Sequence, residues 1–175
     1  MRLFISGLLL GGASTGLLAV VTGSLMRPLV PVEARSLLLA ATALIIVVAE
    51  MSGYRLPLPQ NARQVPTWII HEGNRAGALQ FGFEMGTGMR TYIPSSLPHL
   101  ALLSVLLHAS WRQGLVAGVA FGMGRTMMTL TRYHHGDTDH WDHELLIYAK
   151  RAQMLLAGTV AVALCSIISD MLPSI

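Results

Sequence analysis

Charge is scarce in this chain. Of its 175 residues only 12% are Asp, Glu, Lys or Arg, about half the roughly 25% of a soluble domain. A water-solvated globule is therefore a poor expectation. Cysteine is nearly absent: Cys165 stands alone, so there is no intramolecular disulfide, no CxxC pair and no redox compartment to read. Also missing are a phosphate-cradling Walker loop, a dinucleotide fingerprint, a nucleophile elbow and the residue order of zinc proteases. The expectation is a non-enzyme with no cofactor. The formal charge is +3, but the arginines fall between apolar runs. They read as topology signals, not as a nucleic-acid surface.

Apolar residues fill the space that charge leaves, at 53% of the chain. They gather in runs near the 20 or so residues that cross a bilayer as a helix. The expected fold class is all-α: a polytopic helical membrane protein of about five to six transmembrane segments, with residues 1–175 forming one integral membrane domain. The first run covers 3–25. Arg2 followed by apolar residues resembles a signal peptide, but the run exceeds an h-region of about 7–15 residues and reads as a retained span. It stops at Arg27, Pro28 and Pro31. The second run, 36–51, stops at Gly53, Pro57 and Pro59. Residues 52–75 read as a polar connector whose Tyr54 and Trp68 suit the membrane–water boundary. Further spans are expected at 113–130 and 152–171, with a polar connector at 132–151 in which Asp142 caps the helix entering the last span.

The third hydrophobic region, 76–110, is longer than one crossing needs, and Pro94 and Pro98 interrupt it. It is either two short spans or one broken helix. Basic residues favour the second. With five crossings, the N-terminal side carries Arg2, Arg55, Arg63, Arg75, Arg125, Arg132, Lys150 and Arg151, against Arg27, Arg35 and Arg112 opposite. With six crossings the bias vanishes. The expected setting is a bacterial-type cytoplasmic membrane with the N-terminus cytoplasmic.

Within 82–98 lie the features that point to a site. Glu84 and Arg90 are ionisable residues in an apolar stretch, costing about 2.5–3.5 kcal/mol each at bilayer depth on insertion scales unless paired or wet. A broken helix frees backbone groups that survive at depth only against protein or a cavity, as in transport sites. Glu84, Arg90, Thr91, Ser95 and Ser96 are therefore candidates for a substrate or ion pathway. A plain kinked helix, its hydroxyls bonded to its own backbone, explains the same residues.

A second cluster, HHGDTDHWDHE at 134–144, holds His134, His135, His140 and His143 with Asp137 and Asp139 as candidate metal ligands, since imidazole and carboxylate suit zinc and similar ions. It also fits a pH-responsive or merely solvated loop. Glycines at four-residue spacing (Gly7/Gly11, Gly12/Gly16, Gly82/Gly86, and Gly114, Gly118, Gly122 beside Gly124) predict close helix packing. Glu50 ends the second span with no partner named by the sequence. His99 and His108 flank the apolar half of the third region and read as structural hydrogen-bonders.

The stretch GALQFGFEMGTGMRTYIPSSLPHLALL resembles the glycine-rich, proline-broken helices of the CcdA/DsbD-type cytochrome c biogenesis transmembrane proteins, a group of small transporter-like folds that includes the LysE-type exporters. In that family a proline–cysteine pair sits in each of two broken helices and passes reducing equivalents. Here the matching place reads Pro94-Ser95, and serine cannot form the mixed disulfide that thiol exchange needs. The resemblance implies a related scaffold without dithiol chemistry. Three functions follow as expectations: a small transporter-like protein using the broken helix; a non-catalytic subunit or assembly factor of a larger membrane complex or homo-oligomer; or a metal- or pH-responsive membrane protein using 134–144. The expected partner in every case is the lipid bilayer.

Overall fold

The computed structural model describes residues 1–54, 56–57, 75–88, 95–135 and 138–171. Helices make up nearly all of them: α1 (Arg2–Met26) running into a 3-10 turn (Arg27–Leu29), α2 (Val32–Ser52), α3 (Arg75–Gly86), α4 (Leu97–His108), α5 (Trp111–His135) and α6 (Thr138–Met171). There is no strand among the described residues.

Local chemistry sets the ends. Pro31, with extended backbone, precedes the first turn of α2, where Glu33 faces the positive end of the helix dipole. Gly53 closes α2 at φ 73, a left-handed conformation that costs glycine no Cβ clash, and its N–H returns to the carbonyls of Ala49 and Glu50. The second helix thus starts four residues before the expected 36. Residues 138–151, expected to belong to a polar connector, are the start of α6 instead. They carry neither glycine nor proline, so their polarity is no obstacle to helix. Asp142, expected as a cap, lies inside α6.

Three segments are long and apolar enough to cross a membrane: Arg2–Leu29, Val32–Ser52 and His143–Val162. α5 has the length, at 25 residues, but Arg112, Gln113, Arg125 and its many glycines and threonines dilute its apolar character. The third region forms two helices of 12 residues each. Each is about 18 Å long at 1.5 Å per residue, too short for a hydrocarbon core of about 30 Å.

Glycine builds the core. A Cβ added at Gly7 or Gly11 would strike the α3 backbone at Leu79 and Phe83, and one at Gly82 or Gly86 would strike Phe4 and Leu8 of α1. On its other side, Gly12 and Gly16 meet the carbonyls of Gly118 and Gly114, while Gly122 meets Leu8. The two glycine pairs of α1 are five residues apart, or about 140° around a helix of 3.6 residues per turn. α1 is therefore clasped between α3 and α5 with backbone against backbone, the packing that small residues permit. The pairings make α3 parallel and α5 antiparallel to α1. Among the regularly spaced glycines of α1, α3 and α5, Gly124 differs: no atom approaches its would-be side chain.

α2 stands against α4, with Ala43 and Ile46 packed on Leu100. α4 in turn packs Val105 and Ala109 on Ala19 and Val20 of α1. The third region thus follows α1 in two pieces, α3 beside its first half and α4 beside its second.

Candidate functional site

The changeover between these pieces falls near Thr15, in the middle of α1. Its hydroxyl donates to the carbonyl of Gly11 at 3.1 Å and to that of Thr87 at 3.2 Å. Thr87 closes the end of α3: its N–H reaches the Phe83 carbonyl at 3.0 Å, and its hydroxyl donates to the Glu84 carbonyl at 2.7 Å. Gly88 follows at φ 71, turning the chain out of the helix in a conformation that favours glycine.

The far side of the break is organised by a carboxylate from another helix. Glu50 Oε1, at the end of α2, accepts the hydroxyl of Ser95 at 3.0 Å and the backbone N–H of Ser96. Ser95 Oγ also accepts the Leu97 N–H at 3.2 Å. Helix N-termini leave four N–H groups without intrahelical partners and carry partial positive charge. A carboxylate there answers both.

The other end of α4 has the opposite treatment. Arg27 donates from Nε to the Leu106 carbonyl at 2.9 Å, from Nη1 to Ala109 at 2.7 Å and from Nη2 to Val105 at 2.7 Å. Arg35 adds Nη1 to Leu107 at 2.9 Å. Four terminal carbonyls are thus held by two guanidinium groups, Arg27 as a rigid fork that suits several acceptors at once and Arg35 through a single donor. The twelve-residue α4 carries a negative side chain at its positive end and two positive ones at its negative end. Arg35 Nε and His99 Nδ1 are buried with no hydrogen-bond partner among the described residues. His99 lies one turn into α4 from Ser95.

Of the residues expected to form a pathway, Ser95 and Ser96 come together on Glu50, which had no partner in the sequence reading. Glu84 sits on α3 two residues before its end, half-buried, with Oε1 accepting from Gln80 Nε2 at 3.3 Å. Arg90 and Thr91 lie outside the described residues, as does Pro94. The residues missed were Arg27, Arg35 and Glu50. Their one signal was that charges at the edges of spans faced a proline-broken helix with exposed termini.

The His-rich stretch resolves differently from the sequence grouping. His135 ends α5; His140 and Glu144 lie one turn apart at the start of α6. One ligand atom from each of the three lies within 4.8 Å of the others. His140 Nε2 is 3.4 Å from Glu144 Oε1, and the His135 and His140 rings stack at 5.7 Å. His134 turns edge-on to Tyr133 instead, at 5.5 Å. His143 lies outside the group. Asp137 and the side chain of Asp139 lie outside the described residues. Arg132 lies over the Trp141 ring at 5.8 Å, tying the two helices beside the cluster.

Comparison of the chain with protein-family models, with curated proteins and with solved structures finds no match.

Proposed function

We propose that this chain is a small transporter-like integral membrane protein whose pathway passes the break between α3 and α4. A bilayer as solvent is supported by its surface: Leu18, Leu25, Leu37, Val116, Leu155 and Val162 are each 65–73% exposed. Lipid tails solvate such side chains, whereas water penalises them by about 25 cal/mol per Å². In this reading α1, α2, α5 and α6 each cross, and α3 with α4 crosses once in two halves. Five crossings place the Arg-rich end of the bundle, with the N-terminus, in the cytoplasm. α5 crosses despite its arginines because its polar backbone side is pressed on α1.

The observation that carries the reading is Glu50 on the N-terminus of α4, at a helix break alongside the middle of α1. Half-helix ends at bilayer depth are the groups from which transport sites are made. An acceptor-only carboxylate there, with the buried Nδ1 of His99 one turn away, suits a proton or small cation better than an anion. Should the scaffold be that of the CcdA/DsbD-type proteins, Ser95 replaces thiol exchange with a hydrogen bond to this carboxylate.

The test is flux in proteoliposomes carrying an internal pH dye, driven by proton, Na⁺ or K⁺ gradients. Wild-type protein should exceed protein-free vesicles, and both Glu50→Gln and Glu84→Gln should lower the flux at least tenfold. Wild-type vesicles as tight as empty ones would remove the transport reading. A stable complex with other membrane proteins on gentle extraction would then favour a subunit role.

A further inference from the structure

We propose that His135, His140 and Glu144 form a surface site for a divalent transition-metal ion of the zinc class, bridging the end of α5 and the start of α6. The inference is independent of the transport reading. Zinc takes imidazole nitrogen at about 2.0–2.1 Å and carboxylate oxygen at about 2.0–2.2 Å, so ligand atoms in a tetrahedral set lie about 3.3–3.5 Å apart. His140 Nε2 and Glu144 Oε1 already sit at 3.4 Å. The group as a whole fits within 4.8 Å, so His135 must close in by about an ångström to reach that tetrahedral spacing. Its exposed ring can do so by side-chain rotation.

Three features favour an ion over a chance meeting of polar groups. The ligands come from two helices, so an ion gains from their being pre-positioned; Arg132 over Trp141 holds the same junction. His140 and Glu144 are four apart on one helix face, a spacing that aims both side chains at one point. Two imidazoles and one carboxylate are also a borderline-soft set that selects zinc-like ions over Ca²⁺ or Mg²⁺, which prefer all-oxygen shells. Side-chain exposures of 61% for His140 and 46% for Glu144 leave a fourth position open to water. The last glycine contact of α5 with α1 is Gly122 with Leu8, more than three helical turns before His135, and Glu144 lies at the very start of the apolar segment His143–Val162.

Zinc titration of the purified full-length protein in detergent, followed by calorimetry, tests the site. One ion per chain is expected. His135→Ala, His140→Ala and Glu144→Gln should each weaken it at least tenfold, while His134→Ala and His143→Ala should stay within twofold. Co²⁺ in place of zinc should give the intense visible bands of a four-coordinate site in wild type and lose them in His140→Ala. Absent binding in wild type would overturn the proposal, and so would equal losses in the His143→Ala control. Unchanged helical circular dichroism in every variant excludes unfolding as the cause.

Discussion

Replacing Arg27 by alanine removes the whole fork at the end of α4. Three donors disappear, at 2.9, 2.7 and 2.7 Å from the carbonyls of Leu106, Ala109 and Val105. Hydrogen bonds to a charged partner are worth about 1.5–3 kcal/mol each in net terms, but the three share one side chain and do not add. Arg27 is also only half-buried, so water replaces part of what is lost, and Arg35 still holds Leu107. A cation at a partly buried helix C-terminus is worth up to about 2 kcal/mol through the dipole alone. Together these give a loss of about 3 kcal/mol. At about 2–4 °C per kcal/mol for a chain of this size, Tm should fall by about 6–12 °C. The assay is thermal unfolding in detergent micelles, read by helical circular dichroism. Arg27→Lys should recover part of the loss, because an ammonium keeps the charge but cannot fork across three carbonyls. Amide exchange should rise first in the last turn of α4. If Arg27→Ala melts within about 1 °C of wild type, well under the shift that 1 kcal/mol produces, the fork is not what fixes α4.

The glycine clasp predicts opposite outcomes at neighbouring positions. Gly118→Val forces side-chain atoms onto the Gly12 carbonyl and should destabilise by at least about 1–3 kcal/mol, the ordinary cost of overpacking. Gly124→Ala meets nothing and should stabilise by about 0.5–1 kcal/mol through helix propensity; equal melting shifts in the two would contradict the backbone contacts. Glu50→Ala should cost about 1 kcal/mol as a lost helix cap, and exchange of the Ser96 amide measures it. Lastly, the chain should sediment with membranes and resist extraction by carbonate at high pH, and a monodisperse monomer in plain buffer would refute its membrane setting.

Much of this architecture can be read before any coordinates, because repeating patterns write it. The apolar runs locate α1 and α2 within four residues, and the four-residue glycine spacing names the faces that meet. Pro94 and Pro98 mark the interruption of the third region. The contacts that organise the break are of another kind. Arg27 and Arg35 look like interfacial charges flanking a turn, and nothing local says that their guanidinium groups reach carbonyls 72 to 82 residues further along. Glu50 is similarly paired across 45 and 46 residues. Long-range pairs between single side chains leave no period to detect. At 134–144 the sequence offers four histidines with Asp137 and Asp139 and no period to rank them, whereas helix spacing joins His140 to Glu144 and the fold adds His135.

The anchors of α4 have one further consequence, for assembly. Arg27, Arg35 and Glu50 all precede α4 in the chain. During N-to-C synthesis its berth is finished before the segment emerges, and the α1–α2 hairpin that supplies it is made of the two most apolar of the three membrane-length segments. In the proposed membrane setting a twelve-residue helix, unable to hold itself across a bilayer, enters a slot whose charges already match its polarity. Insertion backwards would set like charge against like at both ends, so the slot also decides which way round the helix lies.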